Sequence, residues 1–207
     1  MIWSRARRCC FVHIPKTGGT SIATAYEPHM LFDDVMLGGT AMGEALQRHY
    51  RARFRLHKHS GVRAIRDAAG GEDFAAAFSF AVIRDPVARL VSLYRWLRAP
   101  EKAGHPLHAA ANTTDFAAFA GVAPQGFGSQ AGLVTIGGQV AVTRLYRFED
   151  LPAAWADVAG RIGVPATIGH ANAARSERIE VSAAVRAAIE AAYAEDVALW
   201  RSIPPIG

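Results

Sequence analysis

The stretch Cys9-Cys-Phe-Val-His-Ile14 followed by Pro15-Lys-Thr-Gly-Gly-Thr-Ser21 constrains this chain more than any other. A short apolar run stopped by a proline and a glycine pair reads as a buried strand entering a tight loop. Behind Thr20-Ser21, the residues Ile22, Ala23, Ala25 and Tyr26 predict a helix that Pro28 closes. The same unit recurs downstream. Phe78-Ser-Phe-Ala-Val-Ile83 is a second buried strand, and Arg84-Asp85-Pro86 supplies an N-cap aspartate and a proline at the first helical position. In the helix that follows, Val87, Leu90, Val91, Tyr94 and Leu97 form one apolar stripe, which leaves Arg89, Ser92 and Arg95 off the core face. Strands alternating with helices predict an α/β domain whose central, mostly parallel sheet is flanked by helices.

Less forceful signals fill in the remainder. Met1–Arg8 reads as a short arm, and Thr40–Arg53 as a helix with Met42, Leu46 and Tyr50 at four-residue spacing. Ser60 is placed to cap a helix carrying Val62 and Ile65, and Ala99–Ala111, with its glycine, prolines and histidines, reads as a loop. A short helix is expected over Thr114–Val122, and a hairpin or two strands around Gly137-Gly138. Helices over Pro152–Ile162 and Ser182–Trp200 complete the pattern, with residues 1–207 as one domain.

Composition removes several classes. Hydrophobic residues at 51% and charged residues at 20% can bury enough surface to exclude wholesale disorder. The longest apolar runs are strand-sized, far from the roughly 18 residues of a membrane span, so no integral membrane association is expected. Cys9 and Cys10 alternate across a strand and would make a strained disulfide, which points to two buried thiols in a reduced, cytoplasmic protein. A net charge of +5 allows an anionic partner. No basic run is interleaved with aromatics, so nucleic acid is not the expected partner.

The chemistry concentrates in His13-Ile-Pro-Lys-Thr-Gly-Gly-Thr-Ser21. A glycine loop opening a helix turns backbone N–H groups and the positive end of the helix toward one point, a place for phosphate or sulfate. Lys16 adds a point charge, Thr17, Thr20 and Ser21 add hydroxyl donors, and Gly18 and Gly19 let the backbone approach closely. The pattern is not a Walker A loop, because Lys16 precedes the glycine pair.

Pro-Lys-Thr-Gly-Gly-Thr-Ser resembles the 5′-phosphosulfate loop of sulfotransferases that use 3′-phosphoadenosine-5′-phosphosulfate (PAPS). Val82-Ile-Arg84-Asp-Pro86-Val-Ala-Arg89-Leu-Val-Ser92-Leu-Tyr94 is similar to the 3′-phosphate site of that family, which implies that Arg84 and Ser92 hold the ribose 3′-phosphate. A planar guanidinium can give two parallel hydrogen bonds to phosphate and the serine a third. Leu56-His-Lys-His59-Ser-Gly resembles the Lys-His-Ala-Thr-Ala stretch of bacterial members and, more loosely, the His-x-His of heparan 2-O-sulfotransferases, with Ser60-Gly61 where the bacterial pattern has Ala-Thr. The resemblance implies His59 as the catalytic base, with His57 as the second choice. Arg147-Phe-Glu-Asp-Leu151 and the run from His170-Ala-Asn172 to Trp200 extend the likeness over nearly the whole chain.

The expectation is therefore a carbohydrate-type sulfotransferase of P-loop-like three-layer fold. Lys16, Thr17, Gly18, Gly19, Thr20, Ser21, Arg84 and Ser92 would bind PAPS, Lys16 and His59 would be catalytic, and no metal would be needed. The acceptor would be a hydroxyl, on a saccharide that could be acidic, with Met30–Gly39 and Ala99–Ala111 as the loops to meet it. Two other classes stay open: a small-molecule kinase, which would need magnesium and ATP, and a PAPS or anion binder without turnover. Among the other titratable residues, His13 is expected as a packed core group, His105 and His108 as solvated, and Glu149 and Asp150 as helix-capping residues.

Overall fold

The computed structural model describes residues 1–169 and 179–206. Along the chain the elements are β1 (Ile2–Ser4), β2 (Cys9–Val12), α1 (Gly19–Tyr26), β3 (Val35–Met36), α2 (Ala41–Phe54), α3 (Val62–Ala69), α4 (Gly71–Ala75), β4 (Phe78–Ile83), α5 (Pro86–Leu97), α6 (His108–Thr113), α7 (Phe116–Val122), α8 (Ala131–Val134), β5 (Thr135–Ile136), β6 (Gln139–Val140), β7 (Arg144–Arg147), α9 (Leu151–Ile162), α10 (Ala183–Ala192) and α11 (Ala194–Ser202). They pack into two compact units, one of residues 1–83, 130–169 and 203–206 and one of residues 84–129 and 179–202.

The first unit is built on a five-stranded sheet of order β3-β1-β2-β4-β7. β2, β4 and β7 are parallel, as expected for strands linked through helices, whereas β1, beside β2, is reversed and pairs antiparallel with both β2 and β3. The sheet is mixed rather than mostly parallel. The residues read as an arm form β1, because the turn Arg5–Arg8 is too short for a crossover and folds the chain straight back onto β2. Arg7 holds that turn down, donating to the carbonyl oxygens of Ile162 (2.8 Å) and His29 (3.0 Å).

Each parallel strand contributes an aromatic ring to one core. Phe11 of β2 stacks on Phe80 of β4 with centroids 5.0 Å apart, and Phe80 meets Tyr146 of β7 edge-on at 6.1 Å. Trp155 and Val158 of α9 and Ile22 and Tyr26 of α1 close over them. Fully burying one such large side chain stabilises the fold by about 1.5–3 kcal/mol. Cys9 and Cys10 are buried free thiols, and burial pushes Cys9 up to about 12 and raises Cys10 further.

One local expectation changes here. Ser60 does not cap α3: its hydroxyl oxygen accepts the His57 N–H at 2.9 Å, and Gly61 occupies the N-cap. The hairpin expected around Gly137-Gly138 is present as β5 and β6 but is short: Leu133 and Val134 belong to α8, and β7 joins the main sheet.

In the second unit, Asp85 caps α5 by accepting the Ala88 N–H at 2.8 Å, with Pro86 in the first turn. The stripe Val87, Leu90, Tyr94 and Leu97 packs with Phe116 and Phe119 of α7 and Ile189 and Tyr193 near the end of α10. Arg89 is not off the core face. It is buried, lies 3.6 Å from Asp196 of α11, donates to the Gly128 carbonyl oxygen (3.0 Å) and stacks over Phe127 (3.9 Å). A flat guanidinium can enter a core when a carboxylate and a ring face meet it.

The expected loop over Ala99–Ala111 carries a 3-10 turn at Pro100–Lys102 and the start of α6, with Leu107 and Ala111 buried. The expected helix over Ser182–Trp200 is capped by Ser182 and broken at Tyr193, whose hydroxyl donates to the Phe127 carbonyl oxygen at 2.8 Å. Among the described residues no helix is long and apolar enough to cross a membrane.

Candidate functional site

β2 delivers the chain to the glycine loop at the carboxyl end of a parallel strand, where open α/β sheets hold their ligands. Lys16 (φ 69°) and Gly18 (φ 81°) both take the left-handed conformation while Thr17 between them does not. Alternating backbone handedness points successive N–H groups toward one side. A left-handed conformation is costly for a lysine, and such strain clusters at ligand-binding turns. Gly18 is the N-cap of α1 and gives no side-chain cap bond, and the first turn carries no acid.

The side chains of the loop divide. Thr17 is buried and its hydroxyl donates to the Ile14 carbonyl oxygen at 3.0 Å, so it closes the loop and is not a hydroxyl donor aimed at an anion. Lys16 and Thr20 are half-buried and Ser21 is buried in α1. Gly18 packs on Phe148 and Leu151, where a Cβ would come within 2.8 Å of the Leu151 side chain. The Arg147–Leu151 segment thus backs the loop. Asp150 makes no side-chain cap to α9; its carboxylate accepts the Ile206 N–H at 3.2 Å.

Gly19 is fixed by contact. A Cβ there would sit 2.0 Å from Cδ2 of His13, so the imidazole lies directly against the loop backbone. The His13 ring is buried, stacks on Phe11 at 5.5 Å and meets His59 edge-on at 4.8 Å. His13 is therefore a packed group, as the sequence predicts, but it also joins the loop to the expected base.

His59 stands in a tight turn between α2 and α3. The Ser60 N–H donates to the His57 carbonyl oxygen (2.9 Å), and the His59 N–H donates to Nδ1 of His57 (3.2 Å). His57 thereby shapes the turn. Nδ1 of His59 lies 2.8 Å from the His13 carbonyl oxygen. A carbonyl can only accept, so Nδ1 carries the proton and Nε2 holds the basic lone pair. Burial lowers His59 to about 4 despite the opposing His13 carbonyl, with Lys58, the Met1 amine and His57 adding to the drop. Burial likewise holds His13 well below the ordinary imidazole value, reinforced by the Met1 amine, His59 and Lys58. Both rings are neutral at neutral pH.

α2 contributes residues that local sequence patterns do not single out. Gln47 accepts the Lys58 N–H at 2.7 Å and Glu44 pairs with the Lys58 ammonium at 2.9 Å. The Met30–Gly39 segment is ordered around Asp34, whose carboxylate accepts from the Tyr26 hydroxyl (2.6 Å) and the Leu31 N–H (2.8 Å), leaving the Phe32 ring fully exposed.

Arg84 and Ser92 belong to the second unit. Arg84 immediately precedes the N-cap of α5, and Ser92 is half-buried about two turns along that helix. His105 and His108 are engaged rather than simply solvated: Nδ1 of His105 accepts the Leu107 N–H at 3.1 Å, and Nδ1 of His108 donates to the Leu97 carbonyl oxygen at 2.8 Å. Among the described residues no cluster of histidine, cysteine or carboxylate side chains is arranged to hold a metal ion. The expected His170–Asn172 loop lies outside the described residues. No protein-family model, curated protein or solved structure matches the chain, so the sulfotransferase likeness rests on the residues of its motifs.

Proposed function

We propose that the chain transfers a sulfuryl group from PAPS to a hydroxyl, with His59 as general base and the Lys16–Ser21 loop receiving the phosphosulfate. The observation that carries this reading is the 2.8 Å hydrogen bond from Nδ1 of His59 to the His13 carbonyl oxygen, beside a ring that rests on Gly19. A base for an alcohol needs an unprotonated nitrogen held in one orientation, and that bond leaves Nε2 in this state.

In the step itself, Nε2 of His59 takes the hydroxyl proton as the hydroxyl oxygen bonds to sulfur. The bond from sulfur to the bridging oxygen breaks, and its electron pair leaves with the 5′-phosphate of adenosine 3′,5′-bisphosphate. Lys16 and the loop N–H groups meet the charge growing on that phosphate, at about 3–4 kcal/mol for each well-aimed donor. These groups supply the positive charge, so the chemistry needs no metal. Arg84 and Ser92 take the 3′-phosphate, which is what would distinguish PAPS from other adenine nucleotides. The acceptor class is a carbohydrate hydroxyl, and the strand, loop and helix at residues 9–26 form the phosphate-binding turn of a P-loop-like fold.

The test is transfer of labelled sulfate from PAPS to a panel of neutral and acidic saccharides and simple alcohols, with EDTA present. Labelled ester and adenosine 3′,5′-bisphosphate formed in equal amounts support the reading. Magnesium-dependent phosphoryl transfer from ATP to the same acceptors, without sulfation, contradicts it.

A further inference from the structure

We infer that Gln47 and Glu44, in the first half of α2, are positioning residues that hold the orientation of His59 through the backbone and side chain of Lys58. The inference rests on the reading of His59 as the base. The Lys58 N–H donates to Oε1 of Gln47 at 2.7 Å, so the residue preceding His59 is fixed to α2 by its backbone. Nε2 of Gln47 donates to Oε2 of Glu44 at 3.1 Å, which orients the amide. Oε1 of Glu44 accepts from the Lys58 ammonium at 2.9 Å and from the Gly39 N–H at 3.4 Å.

The lysine stem is held as firmly as its ends. A Cβ on Gly38 would fall 2.4 Å from Cβ and 2.5 Å from Cδ of Lys58, and one on Gly39 would fall 2.7 Å from Cβ of Ala23. The Gly38-Gly39 turn is thus wedged between α1, the helix that the anion loop opens, and Lys58. Glu44 ties that turn to Lys58. The result is a continuous set of contacts from α1 through Gly39, Glu44 and Gln47 to the His57–Ser60 turn. Its product is the short bond from His59 to the His13 carbonyl, which a small displacement of residue 58 would break. Burial works against ionisation of Glu44, but its bonds to Lys58 prevail and hold the carboxylate below its ordinary value, so Glu44 remains charged at neutral pH.

The experiment uses the full chain labelled with 15N in its histidines. In the parent, the two ring nitrogens of His59 should give widely separated signals, one protonated and one not, at neutral pH. Gln47→Met, which keeps the side-chain length and removes the acceptor, should bring those signals together as the ring exchanges between tautomers. It should lower kcat by about 100-fold, the size expected for a reacting group misplaced by an ångström. Affinity for adenosine 3′,5′-bisphosphate, measured by calorimetry, should stay within about twofold of the parent, well inside that kinetic loss. The exchanged pair Glu44→Gln with Gln47→Glu returns an acceptor to the Lys58 N–H and a carboxylate near its ammonium, and should restore the separated signals. A structural role alone would not be rescued by that exchange.

Separated signals in Gln47→Met, as in the parent, overturn the inference whatever the turnover. If Gln47→Met does not fold, the milder Glu44→Gln is the deciding variant, and unchanged signals in it overturn the inference in the same way. Signals that merge in a chain whose parent transfers no sulfate leave the positioning role standing and remove the sulfotransferase reading.

Discussion

Nδ1 of His59 donates to the carbonyl oxygen of His13 across 2.8 Å, and the two imidazoles meet edge-on with centroids 4.8 Å apart. One histidine thus sets the tautomer of the other with its backbone and supports it with its ring. Because the His13 ring also rests on Gly19, the geometry of the proposed base and that of the Lys16–Ser21 loop are coupled.

Replacing the base gives the first prediction. His59→Ala removes the basic Nε2 and should lower sulfuryl transfer by about 10²–10⁴-fold, the usual contribution of a positioned general base. Binding of adenosine 3′,5′-bisphosphate should persist, because His59 is not assigned to the nucleotide. Transfer at the parent rate, measured with saturating donor, would remove His59 from the mechanism.

The contact at Gly19 gives the second. Gly19→Ala drives a methyl group into His13, which has Phe11 on one side and His59 on another, so the ring has little room to yield. The overpacking should cost about 1–3 kcal/mol of stability, read by urea unfolding. It should also reduce turnover by disturbing His59. A variant as stable and as active as the parent would show that the His13 ring moves aside freely.

Much of this arrangement can be read from local sequence, and the exceptions share a physical cause. β2 and β4 are legible because strands buried on both faces are continuously apolar, and the start of α5 because Asp85-Pro86 encodes its own cap. β1 and β3 are three and two residues long, too short to carry a period, so the antiparallel edge of the sheet is seen only once the chain has folded. Arg89 looks like a surface residue until Asp196 and Phe127 supply its charge partner and its ring face. Thr17 and Ser60 have the right chemistry for a ligand donor and a helix cap, yet each hydroxyl bonds to nearby backbone, an alternative that short polar side chains always have. Gln47 and Glu44 act across a tertiary contact that no spacing rule encodes.

The buried histidines give a pH prediction. His13 and His59 have native values below the ordinary 6.5, His59 near 4, so the unfolded chain binds more protons than the native one below about pH 6.5. Their contribution to stability is complete above that value and is lost as the pH falls toward the native values, the His59 share being on the order of a few kcal/mol. Urea unfolding at pH 8, 6.5 and 5 should show this decline, and His59→Ala should make it shallower. The same neutral His59 places the acidic limb of kcat/KM below pH 6.5. A stability that is flat from pH 8 to pH 5 would mean that neither ring is held neutral by burial.

The central claim is that the chain reads a 3′-phosphorylated adenine nucleotide without help from a metal. The most direct measurement is calorimetry in EDTA, comparing adenosine 3′,5′-bisphosphate with AMP and ATP, for the parent, Lys16→Ala and Arg84→Ala. The account predicts a strong preference of the parent for the bisphosphate, weaker binding in both variants, and loss of the preference in Arg84→Ala alone. Equal affinities of the parent for the bisphosphate and AMP, or binding that requires magnesium with ATP, would contradict it.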